Sequence, residues 1–369
     1  MPFSPANPLR LFICWTHISG YVTACWRRLQ AVDRVDLAIS AFPTPASETA
    51  TQFDSRLVEG LACRLLSPAE RADYDCVRSV VLNHRPDVVI VPGWAIPAYR
   101  RLAREPALAG ARFLMAMDTP WRGGWRQRLG RFKIGALLAR LDGVLVPGER
   151  AWQFARHLGV PASKIRRGSY GFDYDLVSSL HGRRAGLPSG WPRRFLFVGR
   201  YVKEKAIDAL MAGYAAYRRA TPDPWPLTCC GCGPLGSLMR DVPGIEDRGF
   251  VQPGDLPEVF VEHGAFVLPS RFEPWGVALA EAVGAGLPVV ASEACGSIVE
   301  LVRPYYNGLV TPTGDPAALA AALRWIHHHA AELPAMGERG QPLAAAYGTE
   351  AWRDKMLNYL DELFDPPAI

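Results

Sequence analysis

Residues 265–292 read AFVLPSRFEPWGVALAEAVGAGLPVVAS and contain two apolar runs with a helical stretch between them. The runs, Ala265–Pro269 and Val289–Ser292, are almost continuously apolar rather than alternating, which is typical of parallel strands buried on both faces. Gly276 favours a turn, and Val277–Val283 follows as the first turns of a helix. This stretch therefore predicts a strand–loop–helix–strand unit of a parallel sheet.

The same alternation of short apolar runs and longer helical stretches extends in both directions from this unit. A chain of 369 residues is long enough for two domains. We therefore predict an α/β protein with two Rossmann-like, doubly wound parallel-sheet domains facing each other across a cleft. The other predicted strands are Leu11–Trp15, Asp36–Ser40, Val88–Pro92, Phe113–Met117, Gly143–Val146, Phe195–Val198, Leu227–Cys230 and Gly308–Val310.

The alternation breaks between about Asp173 and Arg194, where glycine and proline are frequent. We interpret this stretch as a linker between the domains. The first domain is then expected at residues 1–175 and the second at residues 176–349.

The composition is that of an ordinary globular protein, with 49% hydrophobic and 21% charged residues. A formal net charge of +5 is too mild to indicate nucleic-acid binding. No apolar run approaches the ~18 residues that a membrane-spanning helix needs, and no export signal precedes the first strand. The eight cysteines are scattered or lie in predicted strands, which is typical of reduced thiols. The sequence therefore predicts a cytoplasmic protein.

Two loops that leave predicted strands carry the residues suited to an anionic ligand. Ligands of doubly wound sheets bind at the carboxyl ends of the strands. The loop after Phe195–Val198 contains Gly199, Arg200 and Lys205. Glycine permits a tight turn, and the guanidinium and ammonium groups can neutralise a diphosphate. A solvated, basic helix start is the alternative interpretation of this loop.

The loop after Ala265–Pro269 places two carboxylates near another helix start. Backbone N–H groups that follow Gly276 suit phosphate, and Glu273 lies in the loop itself. Glu281 lies on an apolar helical stretch, where an unpaired carboxylate is costly, so ribose hydroxyls would suit it. Its alternative role is to stabilise the helix dipole. A third loop, with Gly231 and Gly233, is a tight turn that carries little information by itself.

Together, five segments in this order resemble the C-terminal half of the retaining glycosyltransferases of the glycogen synthase-like superfamily, in particular the family 4 type known as glycosyl transferases group 1. The segments are FVGRYVKEK (197–205), CGCGP (230–234), RGFV (248–251), LPSRFEPWGVALAEAVGAGLPVVAS (268–292) and NGLVTPTGDPAALA (307–320). The resemblance implies the GT-B fold and transfer of a sugar from a nucleotide-diphosphate sugar, with UDP as the default carrier. The implied acceptor is a glycan, a lipid-linked molecule or a small molecule, as in polysaccharide biosynthesis.

The resemblance also implies roles for individual residues. Arg200 and Lys205 match the positions that hold the diphosphate, Glu273 the carboxylate at the sugar hydroxyls, and Glu281 the carboxylate at the ribose. Asp118 stands where relatives often have a catalytic-region histidine. Further donor contacts are implied at Gly20, Gly199, Gly231, Gly233, Phe250, Val251, Trp275, Gly276 and Val277, and the last helix, residues 350–369, is similar to the segment that packs back on the first domain.

The implied chemistry requires no metal and no cofactor other than the nucleotide sugar. The two Asp-x-Asp pairs, Asp73 with Asp75 and Asp173 with Asp175, lie outside the strand-end loops of the donor half. No carboxylate stands out as a nucleophile, so we expect front-face transfer with the donor phosphate deprotonating the acceptor. A nucleotide-sugar 2-epimerase and a non-catalytic nucleotide-sugar binder are the alternatives. A dinucleotide oxidoreductase is disfavoured because the first loop lacks Gly-x-Gly-x-x-Gly.

Residues 121–133 combine aromatic and basic side chains without an acid. They include Trp121, Arg122, Trp125, Arg126, Arg128, Arg131 and Lys133. A solvated helix face is the simpler interpretation of such a run. The alternative is peripheral contact with the inner face of a membrane, close to an acidic or lipid-linked acceptor.

Overall fold

The computed structural model describes residues 3–43, 53–240 and 242–365. These residues form two compact units, one of residues 3–43, 53–171 and 349–365, and one that begins at Phe172 and ends at Gly348. The first unit thus ends at Gly171, and the chain returns to it at Thr349. The boundaries expected from the sequence were residue 175 for the end of the first domain and residue 350 for the start of the returning helix. No helix in the described ranges is both long enough and apolar enough to cross a membrane.

The first unit contains a seven-stranded parallel sheet in the order β3-β2-β1-β4-β5-β6-β7. Its central strands are buried on both faces, and Val88, Val89 and Ile90 of β4 are at most 2% exposed. The strands are β1 (Leu9–His17), β2 (Val35–Phe42), β3 (Cys63–Leu65), β4 (Val88–Pro92), β5 (Arg112–Ala116), β6 (Gly143–Val146) and β7 (Ile165–Arg167).

The second unit contains a six-stranded parallel sheet in the order β10-β9-β8-β11-β12-β13. The strands are β8 (Phe195–Val198), β9 (Leu227–Cys230), β10 (Ile245–Asp247), β11 (Ala265–Leu268), β12 (Val289–Ser292) and β13 (Gly308–Thr311). The strand order reverses between β1 and β4 in the first sheet and between β8 and β11 in the second. Each unit is therefore doubly wound, as predicted, and each has a switch point where ligands of such sheets bind.

Helices connect the strands in both units. They are α1 (Gly20–Gln30), α2 (Pro68–Ala72), α3 (Tyr74–Asn83), α4 (Pro97–Leu102), α5 (Trp125–Arg140), α6 (Glu149–His157), α7 (Tyr174–Ser178), α8 (Leu180–Ala185), α9 (Ile207–Ala220), α10 (Leu256–Val261), α11 (Val277–Gly284), α12 (Ile298–Leu301), α13 (Pro316–His328), α14 (Leu333–Ala345) and α15 (Thr349–Phe364). Single 3₁₀ turns lie at Ser55–Val58, Pro106–Leu108, Ala162–Lys164, Lys203–Lys205, Gly236–Met239 and Ala330–Glu332.

The last helix belongs to the first unit. Helix α15 packs against α1, and its Trp352, Met356 and Leu360 are buried in the core that lines one face of the sheet. The indole N–H of Trp352 donates to the carbonyl of Ser169 at 3.1 Å. Residues 366–369 of the predicted helix lie outside the described part of the chain.

The stretch that the sequence analysis interpreted as a linker is folded, so that interpretation is wrong. It contains α7 and α8, and the Arg184 side chain of α8 is completely buried. The guanidinium donates to the carbonyls of Phe260, Ala285 and Gly286 at 2.7–3.1 Å. Burial lowers the pKa of Arg184 to about 9. Its three acceptors are backbone atoms distant in sequence, which no local pattern of residues 173–194 reveals.

Candidate functional site

The loops after β8 and β11 meet at the switch point of the second sheet. The backbone N–H groups of Arg271 and Phe272 donate to the carbonyl of Glu204 at 2.7 and 3.1 Å. These bonds fix the β11 loop against the turn that carries Lys205. The two loops that the sequence analysis selected are thus one continuous structure at the carboxyl edge of the sheet.

Lys205 and Glu273 form an ion pair within this structure. The Lys205 Nζ donates to a carboxylate oxygen of Glu273, and the two side chains are only 15% and 11% exposed. Both charges are largely withdrawn from water and neutralise each other, which makes their burial tolerable. The Arg200 side chain is exposed and is not part of this pair. Of the three charged residues predicted here, the structure brings two together.

A segment that the sequence analysis missed supports the Glu273 loop from behind. The N–H of Gly296 donates to the carbonyl of Glu273, and that of Ser297 to the carbonyl of Trp275, both at 2.9 Å. A Cβ on Gly296 would lie 1.9 Å from the carbonyl oxygen of Pro274, so only glycine fits there. The signal available in the sequence was the Gly-Ser pair shortly after the buried strand Val289–Ser292.

Gly276 ends this loop and starts α11. Its φ of 97° lies in the left-handed region, and an added Cβ would lie 2.7 Å from the Sγ of Cys295. The next residue, Val277, is the first residue of α11, so the N-terminal N–H groups of this helix follow Glu273 closely in the chain. Trp275 is 3% exposed and its ring centroid lies 5.2 Å from that of Tyr347. Trp275 is thus a packing residue that presents only its backbone here.

Glu281 lies one turn further along α11 and is half-buried. Burial raises the pKa of its carboxyl to about 7, and the nearby carboxylate of Asp173 adds to this effect. Among the described residues, no side chain or backbone group donates a hydrogen bond to its carboxylate. A half-buried carboxyl without donors can accept hydrogen bonds from a ligand hydroxyl.

The turn with Gly231 and Gly233 lies beside Gly199 at the next position along the sheet. A Cβ on Gly231 would lie 1.9 Å from the carbonyl oxygen of Gly199, so the glycine allows the two backbones to touch. The hydroxyl of Tyr201 donates to Asp247 at 2.7 Å, and the N–H of Gly249 donates to the same oxygen at 2.9 Å. A pocket opens at this edge, lined in part by Tyr201, Gly231, Gly233, Pro234, Asp247 and Gly249, and the half-buried Phe250 and Val251 follow it in the chain.

The two site residues predicted in the first unit also lie at a switch point. Gly20 is the first residue of α1, after β1, and Asp118 follows β5. The hydroxyl of Tyr170 donates to Asp118 at 2.7 Å, and the ring centroid of Tyr170 lies 5.5 Å from that of Tyr21. A pocket here is lined in part by Trp15, Thr16, Gly93, Trp94, Asp118 and Tyr170. The aromatic residues were not predicted because Trp15 lies within β1, Trp94 follows β4 and Tyr170 follows β7, so they are distant from one another in the sequence.

The first aspartate of each Asp-x-Asp pair caps a helix. Asp73 accepts the N–H of Asp75 at 2.9 Å at the start of α3, and Asp173 accepts the N–H of Leu176 at 3.2 Å at the start of α7. Capping therefore accounts for Asp73 and Asp173. The described residues contain no cluster of three or more His, Cys, Asp or Glu side chains that could hold a metal ion.

The basic and aromatic run divides between two environments. Trp121 is half-buried and stacks on His157 with ring centroids 3.8 Å apart, so it does not belong to an exposed patch. Trp125, by contrast, is 67% exposed at the start of α5. The side chains of Arg126, Arg131 and Lys133 lie outside what the structure describes.

Comparisons with known proteins agree with the fold. Residues 192–329 match the family model described as glycosyl transferases group 1. A D-inositol 3-phosphate glycosyltransferase of Salinispora arenicola is 34% identical over 41% of this chain and 37% of its own length. An amylovoran biosynthesis glycosyltransferase of Erwinia amylovora is 30% identical over 49% of this chain and 46% of its own length. The aligned regions thus span about a third to a half of these curated relatives.

A solved structure is similar over almost the whole chain. The Anabaena protein HepE in complex with UDP superposes with a TM-score of 0.72 at 17% identity, covering 95% of this chain and 99% of that one. Two parallel Rossmann-like sheets and this similarity identify the fold as GT-B.

Proposed function

We propose that this chain is a retaining glycosyltransferase, because residues 192–329 match the family model of the glycosyl transferases group 1 and its fold is GT-B. It transfers a sugar from a nucleotide-diphosphate sugar to a glycan, a lipid-linked molecule or a small-molecule acceptor. UDP is the favoured carrier, and this preference rests on the family and on the UDP that the structurally similar Anabaena protein contains.

The observation that carries this proposal is the buried Lys205–Glu273 pair at the switch point of the second sheet. A mobile ammonium group at that edge matches a diphosphate, and a carboxylate beside it matches sugar hydroxyls. When the donor binds, its phosphate competes with Glu273 for Lys205. Glu273 then becomes available to accept hydrogen bonds from the sugar.

The mechanism that we propose is stabilisation of the leaving diphosphate. Negative charge develops on it as the bond to the sugar breaks, and Lys205, Arg200 and the N–H groups that follow Gly276 would stabilise that charge. Glu273 would orient the sugar, and Glu281 would hold the ribose of the nucleotide. The acceptor attacks on the face from which the diphosphate departs, and a phosphate oxygen takes its proton. We propose that this chemistry uses no metal or additional cofactor.

We assign the acceptor to the pocket of the first unit that contains Asp118. Its Trp15 and Trp94 offer apolar ring surfaces, and Asp118 and Thr16 offer groups that bind hydroxyls. This combination suits a sugar or another polyhydroxylated acceptor. Asp118 would orient the attacking hydroxyl, while Tyr170 holds its carboxylate in place.

The proposal is tested with a panel of UDP-, GDP-, ADP- and TDP-sugars. One nucleotide is expected to raise the melting temperature of the chain, since it binds only the folded state. The matching sugar donor is expected to be hydrolysed slowly without acceptor, and transfer to a found acceptor should retain the anomeric configuration by NMR. Lys205→Ala should lower turnover at least about 100-fold, as loss of a charge-stabilising donor does. Lys203→Ala, an exposed lysine in the same turn, is the matched control and should leave turnover unchanged.

Each of the other possible outcomes would contradict part of this proposal. Interconversion of two sugar nucleotides without an acceptor would make the chain a 2-epimerase. A melting shift without hydrolysis or transfer would make it a nucleotide-sugar binder. An inverted product would contradict the retaining mechanism. If no nucleotide raised the melting temperature, the assignment of a donor site would itself be contradicted.

A further inference from the structure

Helix α5 has apolar side chains on two opposite faces. Ile134 and Leu137 are 4% and 7% exposed and belong to the core of the first unit. Trp125, Leu129 and Phe132 are 67%, 53% and 72% exposed. Spacings of four and three residues place these three side chains on one side of the helix. We call them the apolar stripe of α5.

The apolar stripe lies in a strongly cationic segment. Five cationic residues lie between positions 122 and 133, counting both ends. The sequence from residue 119 to residue 141 contains no acidic residue. Arg122 and Arg128 are exposed, and Arg128 lies one residue before Leu129 of the stripe. A solvated helix normally presents polar residues on its outer face. The three exposed apolar side chains of α5 depart from that pattern. A solvated helix face does not explain them.

The stripe is held on a well-anchored helix. The Gln127 side chain accepts the N–H of Arg122 and donates to the carbonyl of Pro120, both at 2.8 Å. The N–H of Trp121 donates to the carbonyl of Arg150 at 3.0 Å. On the opposite side, an added Cβ on Gly130 would lie 3.3 Å from the Leu158 side chain, so the helix packs closely there. The core therefore fixes which face of α5 points outward.

We propose that the outer face of α5 docks this protein on an anionic lipid surface. Trp125, Leu129 and Phe132 enter the headgroup region, and the cations around them bind anionic headgroups. Aromatic and apolar side chains on one face with lysine or arginine beside them are the pattern of helices that lie in a membrane interface. Each cation close to an anionic surface strengthens binding about fivefold.

A second copy of the chain fits this face less well. A symmetric dimer would place the same patch on both subunits in contact, so the cations of one copy would face those of the other. Such like-charge contacts oppose association. Charge complementarity therefore favours an anionic lipid surface over self-association.

The test is co-sedimentation of the full chain with vesicles at about 0.1 M salt, where the Debye length is ~10 Å. One set of vesicles contains phosphatidylcholine alone, and the other contains phosphatidylcholine with phosphatidylglycerol. We expect binding to the anionic vesicles and at least tenfold weaker binding to the neutral ones. Trp125→Ser with Phe132→Ser should weaken binding to anionic vesicles at least tenfold. Arg122→Gln with Arg128→Gln should weaken it by about 25-fold, at roughly fivefold per cation.

Matched control variants lie elsewhere on the molecule. Arg104→Gln with Arg219→Gln removes two exposed cations away from α5 and should leave binding unchanged. Equal melting temperatures of all variants will show that each is folded. Binding of wild type that survives Trp125→Ser with Phe132→Ser would overturn the proposal, as would the absence of binding to anionic vesicles. A concentration-dependent dimer in sedimentation velocity that this variant abolishes would assign the stripe to a second copy instead. None of these measurements depends on glycosyl transfer.

Discussion

At the scale of single residues, Glu281 connects ligand binding with stability. Its pKa is raised from 4.5 to about 7, because the folded protein buries the carboxyl, with a further contribution from Asp173. Between these two values the folded state holds a proton that the unfolded state releases. Stability is therefore greatest at low pH and falls as the pH rises through this window.

Glu281→Gln should remove this pH dependence. The amide is neutral at every pH, so the variant should match wild type near pH 4.5 and exceed it in melting temperature by a margin that grows up to about pH 7.5. Thermal unfolding across this range measures the difference. Glu338→Gln, at an exposed glutamate of α14, is the control and should show a constant difference. A Glu281→Gln variant less stable than wild type at pH 7.5 would contradict the role of desolvation.

Among the site residues, those on strand-end loops could be predicted and those that support them could not. Lys205 and Glu273 lie in the loops that follow two buried strands, and their charge and their position in these loops predict them as site residues. Gly296 supports the Glu273 loop through close backbone approach, and Tyr170 supports Asp118 through a hydrogen bond. Such contacts join segments distant in sequence, so a single sequence does not reveal them.

At the scale of secondary-structure elements, the predictions included every interior strand and the edge strand β13, and missed the other three edge strands. Interior strands such as Val88–Pro92 were predicted because burial on both faces requires continuous apolar runs. The three missed strands, β3, β7 and β10, are edge strands of three residues each. Arg64, Arg166 and Glu246 lie in them, and charges on short edge strands discourage pairing with other chains. Their sequences therefore resemble loops.

Helix α8 offers a direct test of the corrected linker. Arg184→Met would leave the carbonyls of Phe260, Ala285 and Gly286 without these donors. The Phe260 carbonyl would keep the N–H of His263 as a donor, so the carbonyls of Ala285 and Gly286 are the ones left unsatisfied. At about 1–3 kcal/mol for each of these two buried groups, we expect a loss of at least about 2 kcal/mol in the free energy of unfolding. Pulse proteolysis in urea measures this loss in the second unit.

The neighbouring residue supplies the control for that experiment. Arg183 pairs with Glu258 at the surface, where both side chains are 47% and 67% exposed. Exposed ion pairs contribute little, so Arg183→Met should change stability by less than about 1 kcal/mol. Equal losses in the two variants would show that the buried bonds of Arg184 are not what stabilises α8.

At the scale of the whole molecule, the two units differ in how the chain builds them. Among the described residues, the second unit is built from residues between 172 and 348, whereas the first needs residues 349–365 to complete its core. Besides the buried side chains of α15, Arg34 binds Asp361 through two bonds of 2.6 and 2.9 Å. Arg166 likewise binds Glu362 at 3.0 Å.

A chain that stops after Gly348 should therefore lose the first unit and keep the second. Without α15, the apolar surface of α1 that it covers becomes exposed to water. The first unit then loses the contribution of this burial to its free energy of folding. Limited proteolysis followed by mass spectrometry should yield a resistant fragment close to residues 172–348. A chain that stops after Asp365 is the control, and it should protect both units. Protection of residues 3–171 in the shorter chain would contradict the prediction.

The position of α15 in the chain also sets the order of events on the ribosome. The strands of the first sheet emerge first, yet the helix that completes their core emerges only after roughly 180 further residues have been translated. At about 5–20 residues per second, that delay is about 10–35 s. The second unit can fold during this interval, while the nascent first unit waits with one face of its core open. A chaperone that shields apolar surface on nascent chains would therefore find its substrate in the first unit, which is synthesised before the second.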